Sequence, residues 1–92
     1  MALLRRRLEG MMIRDLESEL LLLDSQGDQI HQLNPTASFI WRHVDETNSP
    51  EGLADLLVQA FDVESHVALR DVVDTLKRFE SLNLVKEVLN VS

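Results

Sequence analysis

The stretch Glu19-Leu20-Leu21-Leu22-Leu23-Asp24, then Ser25-Gln26-Gly27-Asp28, then Gln29-Ile30-His31-Gln32-Leu33 decides the fold. Two short apolar runs flank a polar turn that contains glycine, which is the pattern of a β-hairpin. Leucine is a weak strand former, but each run is too short for a helix and Gly27 with its polar neighbours closes the first one off. Met11 to Asp15 supplies a candidate third strand on the N-terminal side.

Working outward toward the C-terminus, three helices follow. Asn34-Pro35 is a helix start, because the Asn side chain can accept from the orphan N–H groups of the first turn and Pro at the first position loses no needed donor. Ala37, Ile40, Trp41 and Val44 then share one face at i, i+3, i+4 and i+7. Ser49-Pro50 repeats the signal, with Leu53, Leu56, Leu57, Ala60 and Phe61 as the second stripe. A third helix begins near Ser65 and carries Leu69, Val72, Val73, Leu76, Phe79 and Leu82, a stripe wide enough to need two packing partners. Asn83 stands where a helix ends in a left-handed residue, and Leu84 to Val88 predict a last short strand. The expected class is α+β: a winged-helix-like domain with an N-terminal three-stranded antiparallel sheet packed on three helices.

The chain has 92 residues, 45% of them hydrophobic, which suits one small domain over 11–92 preceded by a flexible basic segment over 1–10. It holds no cysteine, so no disulfide framework, thiolate metal site or thiol nucleophile is available. Nine Lys and Arg stand against sixteen Asp and Glu, a net charge of -7 that opposes nucleic acid and anionic lipid. The run Leu20 to Leu23 is far below the roughly 20 apolar residues of a membrane helix. No export signal develops after Arg5, Arg6 and Arg7, so a cytoplasmic protein is expected.

Catalytic and metal constellations are missing from the pattern. His31, His43 and His66 lack an i, i+4 pair or a Glu at motif spacing, so structural or exposed roles are favoured and no metal or cofactor is expected. Asp71 and Asp74 sit among Arg70, Lys77 and Arg78 and read as exposed charges rather than a catalytic pair. The same mixture of signs argues against a DNA-reading third helix. Trp41 belongs to an apolar stripe and reads as core, whereas Phe39 points away from that stripe and is expected at the surface unless something covers it.

The run Leu33-Asn34 with Ala37, Ile40 and Trp41 resembles the PqqD-like family. The likeness continues through Ser49-Pro50-Glu51-Gly52-Leu53-Ala54 and Phe61-Asp62-Val63-Glu64, and closes with Asp71-Val72, Leu76, Phe79, Leu82 and Leu84-Val85. It covers about Leu20 to Lys86, with Asn83 where the family usually has Gly, and it gives Arg5 to Arg7 no counterpart. The resemblance implies a non-enzymatic peptide chaperone, a recognition element for ribosomally made and modified peptides. It also implies capture of a precursor's leader by the third strand and the third helix, and presentation to a modifying enzyme such as a radical SAM protein, a cyclase or a leader peptidase.

The residues support such a role on their own terms. Gln29, Ile30, His31, Gln32 and Leu33 would offer free backbone groups if they form a sheet edge, where an extended peptide adds by main-chain hydrogen bonds. On the third helix Arg70, Val73, Asp74 and Lys77 share a flank beside Leu69 and the apolar stripe, an expected slot for a peptide with apolar anchors and acidic residues. The alternative reading is a small acidic winged-helix regulator that binds protein partners or, as its lesser form, DNA. No nucleic acid or membrane partner is expected, and a homodimer is compatible with the pattern.

Overall fold

A computed structural model describes residues 2–47 and 49–89. The elements are β1 (Ala2–Arg6), β2 (Met11–Leu16), β3 (Glu19–Asp24), β4 (Gln29–Leu33), α1 (Pro35–His43), a 3-10 turn (Val44–Glu46), α2 (Pro50–Phe61), α3 (Ser65–Ser81) and β5 (Val85–Leu89). β2, β3 and β4 form an antiparallel sheet in that order, which leaves β4 at an edge. The expected α+β class, the hairpin, the third strand and all three helix starts are present. Residues 48 and 90–92 of the expected 11–92 domain lie outside the described residues.

Local chemistry sets the helix ends. Asn34 Oδ1 accepts from the Ala37 N–H at 2.8 Å, and Ser49 Oγ accepts from the Gly52 N–H at 3.1 Å, so each Pro-started helix has a side-chain cap. Asn83 takes φ 59, the left-handed conformation foreseen, and the Leu84 N–H then closes on the Phe79 carbonyl at 2.8 Å. Beneath the sheet, Leu20, Leu22, Ile40, Trp41, Leu57, Val72, Phe79 and Leu84 are fully buried in one core. The Trp41 indole N–H donates to the Leu84 carbonyl at 2.9 Å, so the ring packs without stranding its donor.

Three expectations need correction. Residues 2–10 are not a loose tail: Ala2–Arg6 pair antiparallel with Val85–Leu89, from Ala2 opposite Leu89 to Arg6 opposite Val85. Their cations find partners far along the chain. Arg6 donates from its backbone N–H and Nε to the Asp45 carboxylate at 2.8 and 3.0 Å, and its guanidinium lies 5.3 Å over the Trp41 ring. Arg5 reaches the Thr47 carbonyl at 3.2 Å. The α2 stripe is also shorter than expected, with Leu53, Ala54 and Leu57 buried but Ala60 and Phe61 exposed. Phe39 is partly buried, because Phe61 meets it edge-on at 5.3 Å between centroids and His43 lies 4.3 Å away. Phe39, which periodicity left outside its stripe, is covered by Phe61, which periodicity had assigned to the second stripe.

The linker between β1 and β2 is fixed by a buried ion pair. Arg7 and Asp24, both nearly excluded from solvent, meet at 2.6 Å. Arg7 also donates to the Asn83 and Glu9 carbonyls at 2.7 Å each and to Gln26 Oε1 at 3.0 Å. Asp24 Oδ1 accepts from the Gln26 and Gly27 N–H groups at 3.0 and 3.1 Å. The hydrogen bond from Arg7 chiefly, then that from Gly27, holds the Asp24 carboxyl below its ordinary pKa of 3.8. The hairpin turn, the β1–β2 linker and the end of α3 thus meet at one charge pair. Gly10 completes the linker at φ +69, and a Cβ there would stand 2.7 Å from Gln26 Cγ.

Candidate functional site

The Glu17-Ser18 turn joins β2 to β3, with Leu16 opposite Glu19 and Asp15 opposite Leu20. In a two-residue hairpin the flanking pair exchanges hydrogen bonds and the next pair does not, so Leu20 turns its backbone groups toward β4. Its N–H donates to Ser38 Oγ at 2.9 Å, and that hydroxyl donates to the Leu33 carbonyl at 3.0 Å. Ser38, fully buried, is a rung inserted in the ladder. From Leu33 the alternation runs back along β4: His31 and Gln29 present their backbone to Leu22 and Asp24, while Gln32 and Ile30 turn theirs outward. The free edge therefore offers the N–H and C=O of Ile30 and Gln32.

Side chains alternate in the orthogonal sense. Leu33 is buried in the core and His31 is partly buried beside it, whereas Ile30, 67% exposed, projects on the opposite face. His31 Nε2 is buried with no hydrogen-bond partner among the described residues.

Alongside this edge runs an open groove of about 670 Å³ between β4, the start of α1 and one side of α3. Ile30, Leu33, Ala37, Phe79 and Leu82 line it with apolar groups, and His31, Gln32, Asn34, Thr36, Asp71, Asp74, Thr75 and Arg78 with polar or charged ones. The arrangement provides a row of free main-chain groups above a narrow, partly apolar slot. That is the equipment for adding an extended peptide strand.

The structure brings Gln29 to Leu33 to the edge and Asp74 to the groove, but it does not bring Leu69, Arg70, Val73 and Lys77 there. The flank that faces β4 is Asp71, Asp74, Thr75 and Arg78, again spaced i, i+3, i+4 and i+7. Both flanks border the same buried stripe of Ala68, Val72, Leu76 and Phe79, and periodicity treats them alike. Only the tertiary placement of α3 decides between them. Asp71, Thr75, Arg78 and Leu82, together with Thr36 at the start of α1, were therefore missed.

His43 pairs with Glu46 of the following 3-10 turn and His66 with Glu64 just before α3, both local contacts. Among the described residues no group of three or more His, Asp or Glu stands close enough to hold a metal ion. No helix of the described residues is long and apolar enough to cross a membrane.

Comparisons with known proteins show the family and the fold. Residues 19–85 match the family described as coenzyme PQQ synthesis protein D (PqqD). Among solved structures the chain superposes on TbiB1 in complex with the TbiA(beta) leader peptide at a TM-score of 0.78 and 21% identity, covering 94% of this chain and 99% of that one. It superposes on lasso peptide synthetase B1 complexed with the leader peptide at 0.76 and 24% identity, covering 90% and 96%. Both likenesses are of fold. A comparison with curated protein sequences finds no match.

Proposed function

The chain belongs to the PqqD family, and from that premise we propose that it is a non-catalytic recognition element that captures the leader of a ribosomally made precursor peptide. The leader adds as a fourth strand to the β2-β3-β4 sheet, outside β4, and the element presents the attached core to a modifying enzyme such as a radical SAM protein, a cyclase or a leader peptidase. The observation that carries the reading is the outward pair of backbone sets at Ile30 and Gln32, directly above the groove against α3. Support comes from the solved structures of the same fold, which are complexes with leader peptides.

Main-chain pairing supplies affinity with little demand on sequence, and the groove supplies selection. A single rigid platform can thus hold a leader while a core sequence varies. The winged-helix regulator reading is weaker, since α3 turns a mixed-charge flank to the groove and the chain carries seven excess negative charges.

Fluorescein-labelled peptides spanning the short open reading frames that flank this gene, titrated with the protein, test the proposal by polarisation. Saturable one-to-one binding is the expected result. Absence of binding by the folded protein, or equal binding of the core segment without its leader, would overturn it.

A further inference from the structure

The groove is charge-polarised along its length, and its direction follows from the Arg7 clip. The Asn83 carbonyl and the Asp24 carboxylate bind the same guanidinium, so α3 ends beside the β3–β4 turn, at the Gln29 end of β4. Reading back along α3, Arg78 comes first, then Asp74, then Asp71, toward the start of α1. At about 1.5 Å per residue, Asp74 lies about 6 Å and Asp71 about 10 Å from Arg78 along the axis. That is two to three residues of extended strand at about 3.3 Å each.

These three charges are not used within the fold. Asp74 and Arg78 are at i, i+4, a spacing at which Asp and Arg ordinarily pair on a helix, yet among the described residues no ion pair joins any of the three. The cations of the clip side, Arg6 and Arg7, are both paired. His31, with its unpartnered Nε2, lies across the same groove.

We infer that the groove selects an extended peptide bearing an acidic and a basic side chain on one face, two residues apart, the acidic one beside Arg78 and the basic one beside Asp71 and Asp74. The inference rests on the leader-binding reading and replaces the expected peptide with apolar anchors and acidic residues only, which the flank of Arg70 and Lys77 had suggested. Those two cations lie outside the groove and take no part.

The test is a yeast-displayed library of random peptides of about twelve residues, selected against the whole protein and against an Asp71→Lys, Asp74→Lys, Arg78→Glu triple variant. An Arg70→Glu, Lys77→Glu variant serves as control, and circular dichroism confirms the fold of each. The expected outcome is a strand-like consensus with one acidic and one basic position in fixed order, inverted for the triple variant and retained for the control. Resynthesised winners should lose about five- to tenfold in affinity when their two charges are exchanged. A peptide consensus without the charge order, or an order that survives the triple variant, overturns this inference and leaves strand capture standing. Failure to enrich any peptide overturns both.

Discussion

Two surfaces that border α3 are built on opposite plans. On the side where β1, β5, the β1–β2 linker and the hairpin turn converge, charged groups are matched within the fold: Arg6 with Asp45, and Arg7 with Asp24 and two backbone carbonyls. β1 and β5 add main-chain pairing along five residues each. On the side where β4 faces α3, an edge strand keeps two sets of main-chain groups free, His31 Nε2 lacks a partner, and Asp71, Asp74 and Arg78 stand unbridged among the described residues. The contrast separates stability from recognition. Paired charges hold the frame on one face, and the groups left without partners along β4 and α3 are those a ligand can take up.

Breaking the closed side gives the largest effect. Arg7→Leu leaves the Asp24 carboxylate buried without its cation and unties three segments at once, so a marked fall in melting temperature is expected. Acid acts on the same pair. Because the folded-state pKa of Asp24 is depressed, its contribution is fully present above the ordinary value of 3.8 and is lost as pH falls through the lower folded value. Thermal melts between about pH 7 and pH 2 should show a decline at the acid end that Asp24→Asn flattens. An Arg7→Leu protein as stable as the wild type would remove the clip from the account.

A smaller and more selective effect is expected on the open side, where parity along β4 makes neighbouring residues unequal. Gln32→Pro or Ile30→Pro removes an outward N–H that no internal partner needs, so the fold should survive while leader affinity drops at least about tenfold. His31→Pro removes an N–H directed at β3 and should cost stability instead. Paired melts and polarisation titrations of the three variants give the comparison. If Gln32→Pro unfolds the protein and His31→Pro does not, the edge assignment is inverted.

The sequence made the closed frame partly legible and the open site only in outline. Asn34-Pro35, Ser49-Pro50 and Asn83 carry their structural roles in local chemistry, and each was found where that chemistry put it. β1 was not legible, because Arg5-Arg6-Arg7 looks like a solvated tail until Asp24 and Asp45 are brought to it from distant positions. Phe39 was misplaced for the same reason, its cover being Phe61 at the far end of α2. In the site, β4 could be read from the hairpin, but the working flank of α3 could not. Arg70 and Arg78 are equivalent by spacing, and only the docking of α3 turns Arg78 toward β4.

Amide hydrogen exchange resolved by residue in β4, with and without the leader peptide, tests strand addition most directly. In the free protein the His31 amide should already be slow and those of Ile30 and Gln32 fast, and bound leader should slow Ile30 and Gln32 while leaving His31 little changed. Saturating leader that leaves the Ile30 and Gln32 amides as fast as before would contradict capture at this edge.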